Sequence, residues 1–287
     1  MKTPLLVLLL AAGSAAAQTV QTPVPETVQA QFNLDPFYQK YLNAGGLPIV
    51  SSGKVHDQAL REASWIVDQL LAGRDDIRQA LAKNGVRLVV MAHNEYTTDV
   101  PEHSKLKPKD YWDRRARGLG PSPDAPAVSC GEENLLSFPD DHYARENILI
   151  HEFAHAIHQM GLNTVDPGFE KQLNQAFGRA MGLGRWKGAY AASNPAEYWA
   201  EGVQCWFGNN RENDASHNHV NTRAELEEHD PELAALCRAV FGERAWTYQK
   251  PADRPEADRN HLKGWKPEEA PAFKWRPGTE KATAGKP

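Results

Sequence analysis

His151-Glu152-Phe153-Ala154-His155 is the stretch on which the fold and the chemistry of this chain turn. Two histidines four residues apart lie on one face of a helix, so both rings can reach a single metal ion. A glutamate beside the first can take a proton from a metal-bound water. The preceding Asn147-Ile148-Leu149-Ile150 is mostly apolar, and Ala154, Ala156 and Ile157 continue the pattern. The segment 141–159 therefore reads as a largely buried helix, capped by Asp140 or Asp141 and ended at Gly161. Buried polar side chains need partners, and a metal would satisfy all three.

Such a motif needs a third protein ligand. His158 shares the helix face, but seven residues at about 1.5 Å of rise put it roughly 10 Å along the axis from His151. It reads as a neighbour. The metzincin extension would place glycine at 158 and histidine at 161; this chain has His158 and Gly161, which excludes that class.

Downstream lies Asn194-Pro195-Ala196-Glu197-Tyr198-Trp199-Ala200-Glu201. Asn194 at the N-cap with Pro195 after it is a strong helix start. Glu197 and Glu201 then share a face that Cys205 continues. Tyr198, Trp199, Val203, Trp206 and Phe207 make the helix too apolar for a plain solvated surface. On this reading Glu197 is the third zinc ligand, and Glu201 accepts the other ring N–H of a zinc histidine. Glu170, on a mostly polar helix, is a weaker rival for the metal. Tyr190, seven residues before Glu197, either donates to a developing oxyanion or is a loop tyrosine packed on the domain.

These motifs together carry a resemblance. HExxH, about forty residues, then Tyr-x6-Glu-x3-Glu is similar to the anthrax lethal factor-like zinc metallopeptidases, and the bacterial Pro-Pro endopeptidases share the layout. The likeness covers roughly residues 85–210 and is sharp over 147–159 and 190–208. It implies His151, His155 and Glu197 as zinc ligands, Glu152 as catalytic base and Tyr190 as transition-state donor. It implies an α+β, zincin-like fold, mostly helical, with a small sheet beside the HExxH helix. The chain departs from the family in lacking large toxin domains, in its cysteine set and in its long C-terminal extension. Those departures bear on substrate and role more than on chemistry.

The flanks set the organisation. Lys2, the apolar run Leu5–Ala12 and Ala15-Ala16-Ala17 read as a signal peptide over 1–17, with cleavage before Gln18. The run is too short for a stable bilayer anchor, and no other stretch approaches 18 apolar residues. The expectation is a secreted, extracellular or periplasmic protein with no membrane anchor after signal removal. The net charge of −5 gives no reason to expect nucleic acid as a partner. Three cysteines, Cys130, Cys205 and Cys237, suggest one disulfide and one free thiol in an exported chain. Their pairing is open, with Cys130 bonded to one of the others as the favoured arrangement.

Residues 18–50 read as a wrapping segment, extended or disordered over 18–30 and ending in a short strand near Val50. Residues 51–245 read as the catalytic domain. Helices are expected over 56–71 and 75–83 and a strand over 86–91, which would offer its edge to an extended peptide. His93 and Tyr96 follow as ordinary loop residues or cleft lining. Residues 105–124 read as loop. Glu132 and Glu133 belong to a cysteine-anchored turn rather than a calcium site. The polar loop 208–219, with His217 and His219, is a remote candidate for a second metal. A helix spans 222–241 with a second part starting at Pro231. Residues 246–287, rich in proline and charge, form an extension draped on the surface or disordered, with Trp246, Trp265 and Trp275 as pins.

The expected function is a secreted zinc metallopeptidase, acting on a peptide or protein through a zinc-activated water. Two alternatives remain: a zinc hydrolase of a non-peptide substrate, and a non-catalytic, zinc-stabilised secreted binding module.

Overall fold

A five-stranded sheet forms the spine of the computed structural model, which describes residues 19–279. After helix α1 (Glu26–Phe32) come β1 (Lys40–Ala44) and β2 (Leu47–Ser51), then α2 (Asp57–Leu70), α3 (Asp75–Lys83) and β3 (Arg87–Met91). Helix α4 (Lys109–Arg115) leads to β4 (Gly118–Leu119), followed by β5 (Ala127–Gly131), α5 (Glu132–Leu135) and α6 (Ile148–Ala156). A π-helical turn, Ile157–Leu162, extends α6 into α7 (Asn163–Val165), and α8 (Phe169–Gly182) follows. The chain then forms α9 (Pro195–Trp206), α10 (Arg223–His229) and α11 (Pro231–Phe241). Helix and sheet are mixed, an α+β architecture.

The strand order is β1-β2-β3-β5-β4, with β2, β3 and β5 parallel and the two edge strands antiparallel. Alternation sorts the strand residues to two faces. Leu42, Ile49, Leu88, Val90, Val128 and Cys130 join the main core under the helices. Tyr41, Val50, Val89, Met91 and Ala127 face a smaller cluster closed by Val24, Tyr38 and Val100. Helix α6 packs between β5 and α9. Its apolar residues Leu149, Ile150, Phe153 and Ala154 are buried in the main core, which fixes the direction of its polar face.

Several expectations are corrected. The HExxH helix starts at Ile148, not near Asp141, because Asp141 is spent on its own turn, accepting from Tyr143 N at 2.9 Å and Asn134 Nδ2 at 2.8 Å. Gly161 does not end the helix. It lies inside the π-helical turn, where a Cβ would come within 2.8 Å of Ile77 on α3. Residues 26–32 are helical rather than extended. The short strand before Val50 is one arm of a hairpin, turned by Gly45 and Gly46 at φ +63° and +97°, so residues 40–51 belong to the sheet. The strand over 87–91 cannot offer an edge, since β2 and β5 flank it. The free edge beside the site is β4, from the stretch expected to be loop, which also holds α4.

No disulfide forms. Cys130, Cys205 and Cys237 are buried free thiols. Each is seated in a packed element, β5, α9 and α11, and Cys205 Sγ donates to Val220 O at 3.2 Å. Burial pushes the Cys130 and Cys205 thiols well up, so they stay protonated and inert.

The C-terminal extension is held on the surface within the described residues. Arg254 is buried against Glu62 of α2, with Nη1 at 2.9 Å from Oε2, and its guanidinium lies 4.1 Å from the Trp65 ring centre. Phe273 N donates to Pro139 O at 2.8 Å, and Trp275 packs on His142 at 4.9 Å between ring centres. Trp65, Trp246 and Phe207 form the matching aromatic patch. No helix among the described residues is long and apolar enough to cross a membrane. The expected signal peptide over 1–17 lies outside the described residues.

Candidate metal centre

Two helices bring the predicted side chains together. On α6 the four-residue spacing aims His151 and His155 the same way. On α9, Asn194 caps as its position predicts, its side chain accepting from Ala196 N at 2.9 Å and Glu197 N at 3.0 Å. This holds Glu197 in the first turn, facing α6. Glu197 Oε2 lies 3.0 Å from His151 Nε2 and 3.4 Å from His155 Nε2, and the two Nε2 atoms are 3.2 Å apart. His151, His155 and Glu197 form a group that could hold a metal ion.

The spacing tests that possibility. Ligand bonds of about 2.0–2.1 Å at tetrahedral angles put ligand atoms about 3.3 Å from one another. The three observed separations lie on either side of that value. Electrostatics agrees. Taken as side chains alone, the group demands positive charge. Burial lowers the proton affinity of His151, but the hydrogen bond to Glu197 and the Glu152 and Glu201 carboxylates outweigh it and push its pKa up to about 10. Burial raises Glu197, yet its hydrogen bonds to His151 and His155 hold it far below the usual carboxylate range. A bound cation would supply the same charge without a proton.

The remaining predicted residues surround a cleft of about 290 Å³ whose lining includes Arg115, Gly118, His151, Glu152, Tyr190 and His217. Glu152 is buried beneath β4, close enough that a Cβ on Gly118 would sit 3.0 Å from its Cγ. A Cβ on Gly120 would likewise sit 2.9 Å from the Cβ of His155. Side chains at either position would push the ligand helix away. Burial raises the pKa of Glu152, partly offset by His151 and His155.

Tyr190 opens a 3₁₀ turn, with its N–H donating to Ser216 O at 2.7 Å, and its ring centre is 6.3 Å from that of His151. Its phenol shares the cleft with Arg115 and feels the charges of Glu197 and Arg115. Burial and Glu197 raise its pKa to about 12 against the lowering by Arg115, so it keeps its proton at neutral pH.

Glu201 sits differently from expectation. The ring N–H side of His151, Nδ1, is 2.8 Å from Gln204 Oε1 and 3.6 Å from Glu201 Oε1. Glu201 accepts instead from Asn210 Nδ2 at 2.9 Å and faces His217 Nε2 at 3.5 Å. The reason is helical phase: Gln204 is three residues past Glu201 and one more turn along α9, level with the outer nitrogen of His151. The sequence reading missed it, although its place seven residues after Glu197 puts it on the same face. Arg115 was also missed; only the fold brings it to the cleft.

The other candidates are placed elsewhere. Glu170 pairs with His158 Nε2 at 2.5 Å, away from the site. Glu132 accepts from His93 N and His56 N, each at 2.9 Å, and Glu133 pairs with Arg117. These are structural bonds, as the turn reading expects. Tyr96 donates to Lys274 O at 3.1 Å, and His219 packs edge-on against His229. His217 pairs with Asp214 at 2.8 Å, so no second metal group forms among the described residues.

No family model matches the chain, and no curated protein matches it in sequence. Among solved structures it is similar to the Pro-Pro endopeptidase PPEP-2 from Paenibacillus alvei, at 18% sequence identity and a TM-score of 0.41, over 69% of this chain and 98% of that chain. A likeness at that level assigns neither fold family nor activity.

Proposed function

We propose that this chain is a secreted zinc metallopeptidase with a zincin-like catalytic domain of the lethal factor-like type. The observation that carries the proposal is the convergence of His151 Nε2, His155 Nε2 and Glu197 Oε2 at 3.0–3.4 Å beside a buried glutamate. Zinc is the favoured metal because two imidazoles and one carboxylate match the ligand set of hydrolytic zinc sites. His151, His155 and Glu197 would hold it. When bound, zinc supplies Lewis acidity to a water and to the scissile carbonyl.

The rest is done by the chain. Glu152, buried next to the ligands and raised in pKa, accepts the proton of the attacking water and returns it to the leaving amine. Tyr190, protonated at neutral pH, donates its O–H to the oxygen on which charge develops. Arg115 lines the same cleft and places positive charge near the Tyr190 phenol. The free edge of β4 gives an extended peptide backbone a ladder to pair with, and Gly118 and Gly120 allow that strand to lie close over the ligand helix. The signal peptide over 1–17, export, and division into 18–50, 51–245 and 246–287 complete the proposal.

Peptide-library cleavage by zinc-loaded protein, beside Glu152→Gln, tests it. Cleavage by the parent with a loss of 10²-fold or more in the variant is expected. Equal cleavage by both would reject Glu152 as base. No peptide cleaved by either, with zinc bound, would favour a non-peptide substrate or a binding role.

A further inference from the structure

Gln204 is fully buried on α9, and its amide sits between two groups whose hydrogen-bonding sense is fixed. On one side Nε2 donates to Glu146 Oε2 at 2.8 Å. A carboxylate only accepts, so the amide nitrogen must face Glu146 and the amide oxygen must face the other way. On that other side Oε1 lies 2.8 Å from His151 Nδ1. An amide oxygen also only accepts, so Nδ1 carries the hydrogen. The lone pair of the neutral ring is then at Nε2, the atom that faces Glu197 and His155. Glu146 is itself held, with Arg211 Nε 3.1 Å from its second oxygen.

We propose that Gln204, oriented by Glu146, is the positioning residue that fixes the His151 tautomer and so presents Nε2 to the metal. The inference rests on the metal reading above and extends it to residues that never touch the metal. The alternative acceptor, Glu201, is too far from Nδ1 at 3.6 Å and is engaged by Asn210.

The test compares the full chain with Q204A, Q204E and the double variant Q204E/E146Q. Zinc Kd is measured by competition with a chromophoric chelator, and the His151 Nδ1–H resonance is followed by ¹⁵N-edited NMR of the zinc-loaded protein. Q204A should weaken zinc binding about 10- to 100-fold and lose the exchange-protected Nδ1–H signal. Q204E should weaken it too, because the introduced carboxylate confronts Glu146 with no hydrogen between them. In Q204E/E146Q the donor is restored from the other side, and both Kd and the resonance should return to within about threefold of the parent, in keeping with an interaction that can be exchanged as a pair. A Kd for Q204A within twofold of the parent, or a double variant no better than Q204E, would overturn the proposal. Should Q204A fail to fold, the Q204E against Q204E/E146Q comparison decides. A parent that binds no zinc would instead count against the metal site itself, and the positioning role would fall with it.

Discussion

Two buried ionic clusters differ in one respect. Arg117 and Glu133 are both fully buried and complete each other: Nε and Nη2 reach the two carboxylate oxygens at 2.6 and 3.0 Å, while the remaining donors go to Ala92 O and Glu95 O. Charge and hydrogen bonds are balanced within the protein. The His151, His155 and Glu197 cluster is not balanced. Its three atoms converge within 3.4 Å and call for a positive charge between them, whether a proton on His151 or a bound cation, and His155 Nδ1, also buried, has no hydrogen-bond partner among the described residues. Such an arrangement could hold a metal ion. The difference separates a buried ion pair completed within the fold from a group with room for an added cation.

That contrast can be broken most forcefully at Arg117. Arg117→Leu leaves Glu133 buried without a counter-charge and should cost about 3–5 kcal/mol in urea unfolding, with or without zinc. A loss below about 1 kcal/mol would mean that Glu133 finds another partner. Removing the phenol at the other cluster should act on rate rather than stability. Tyr190→Phe is expected to lower kcat about 10²-fold while zinc affinity stays within threefold. An equal loss in zinc affinity would make Tyr190 a structural support of Glu197.

His103 sharpens the comparison as a buried group kept neutral. Its Nε2 is 3.1 Å from Ser129 Oγ, and burial lowers its pKa to about 4 despite Glu102. The unfolded ring binds a proton below about pH 6.5, whereas the folded ring refuses one until about 4. The unfolded state therefore binds more protons in that window, and stability falls as pH falls through it, by on the order of 3 kcal/mol. His103→Gln should flatten the acid side of a stability–pH curve; an unchanged slope would assign the acid sensitivity elsewhere. The smallest effect is expected at Gly120→Ala, where the new Cβ would crowd His155. It should cost about 1–3 kcal/mol and weaken zinc binding. Unaltered zinc affinity would show that β4 and α6 can part without disturbing the ligands.

The parts of the site that were legible in sequence are those set within one helix. His151, Glu152 and His155 follow from a four-residue spacing, and Glu197 from a helix whose start Asn194 and Pro195 declare. What was not legible depends on partners far along the chain. Arg115 reaches the cleft because a two-residue edge strand follows it, too short to show any period. Gln204 was visible on the right face of α9, but its role needs Glu146, 58 residues away. Arg254 meets Glu62 across 192 residues, so the sequence alone could not decide between a C-terminal extension draped on the surface and a disordered one. The cysteines misled because three thiols behind an expected signal peptide suggest a bridge, whereas each sits as a buried free thiol in a packed strand or helix. The hairpin at Gly45 and Gly46 carried its signal openly, a left-handed turn between two apolar runs.

The central claim is that the His151, His155 and Glu197 cluster is built for a divalent cation. Zinc titration against a chromophoric chelator, for the full chain and Glu197→Gln, tests it most directly. The account predicts one zinc per chain in the parent, at least 10²-fold weaker binding in the variant, and, at a thousandfold excess of zinc over Kd, about 4 kcal/mol of added stability in the parent. Equal zinc affinity in the two proteins, or no binding in either, would contradict it.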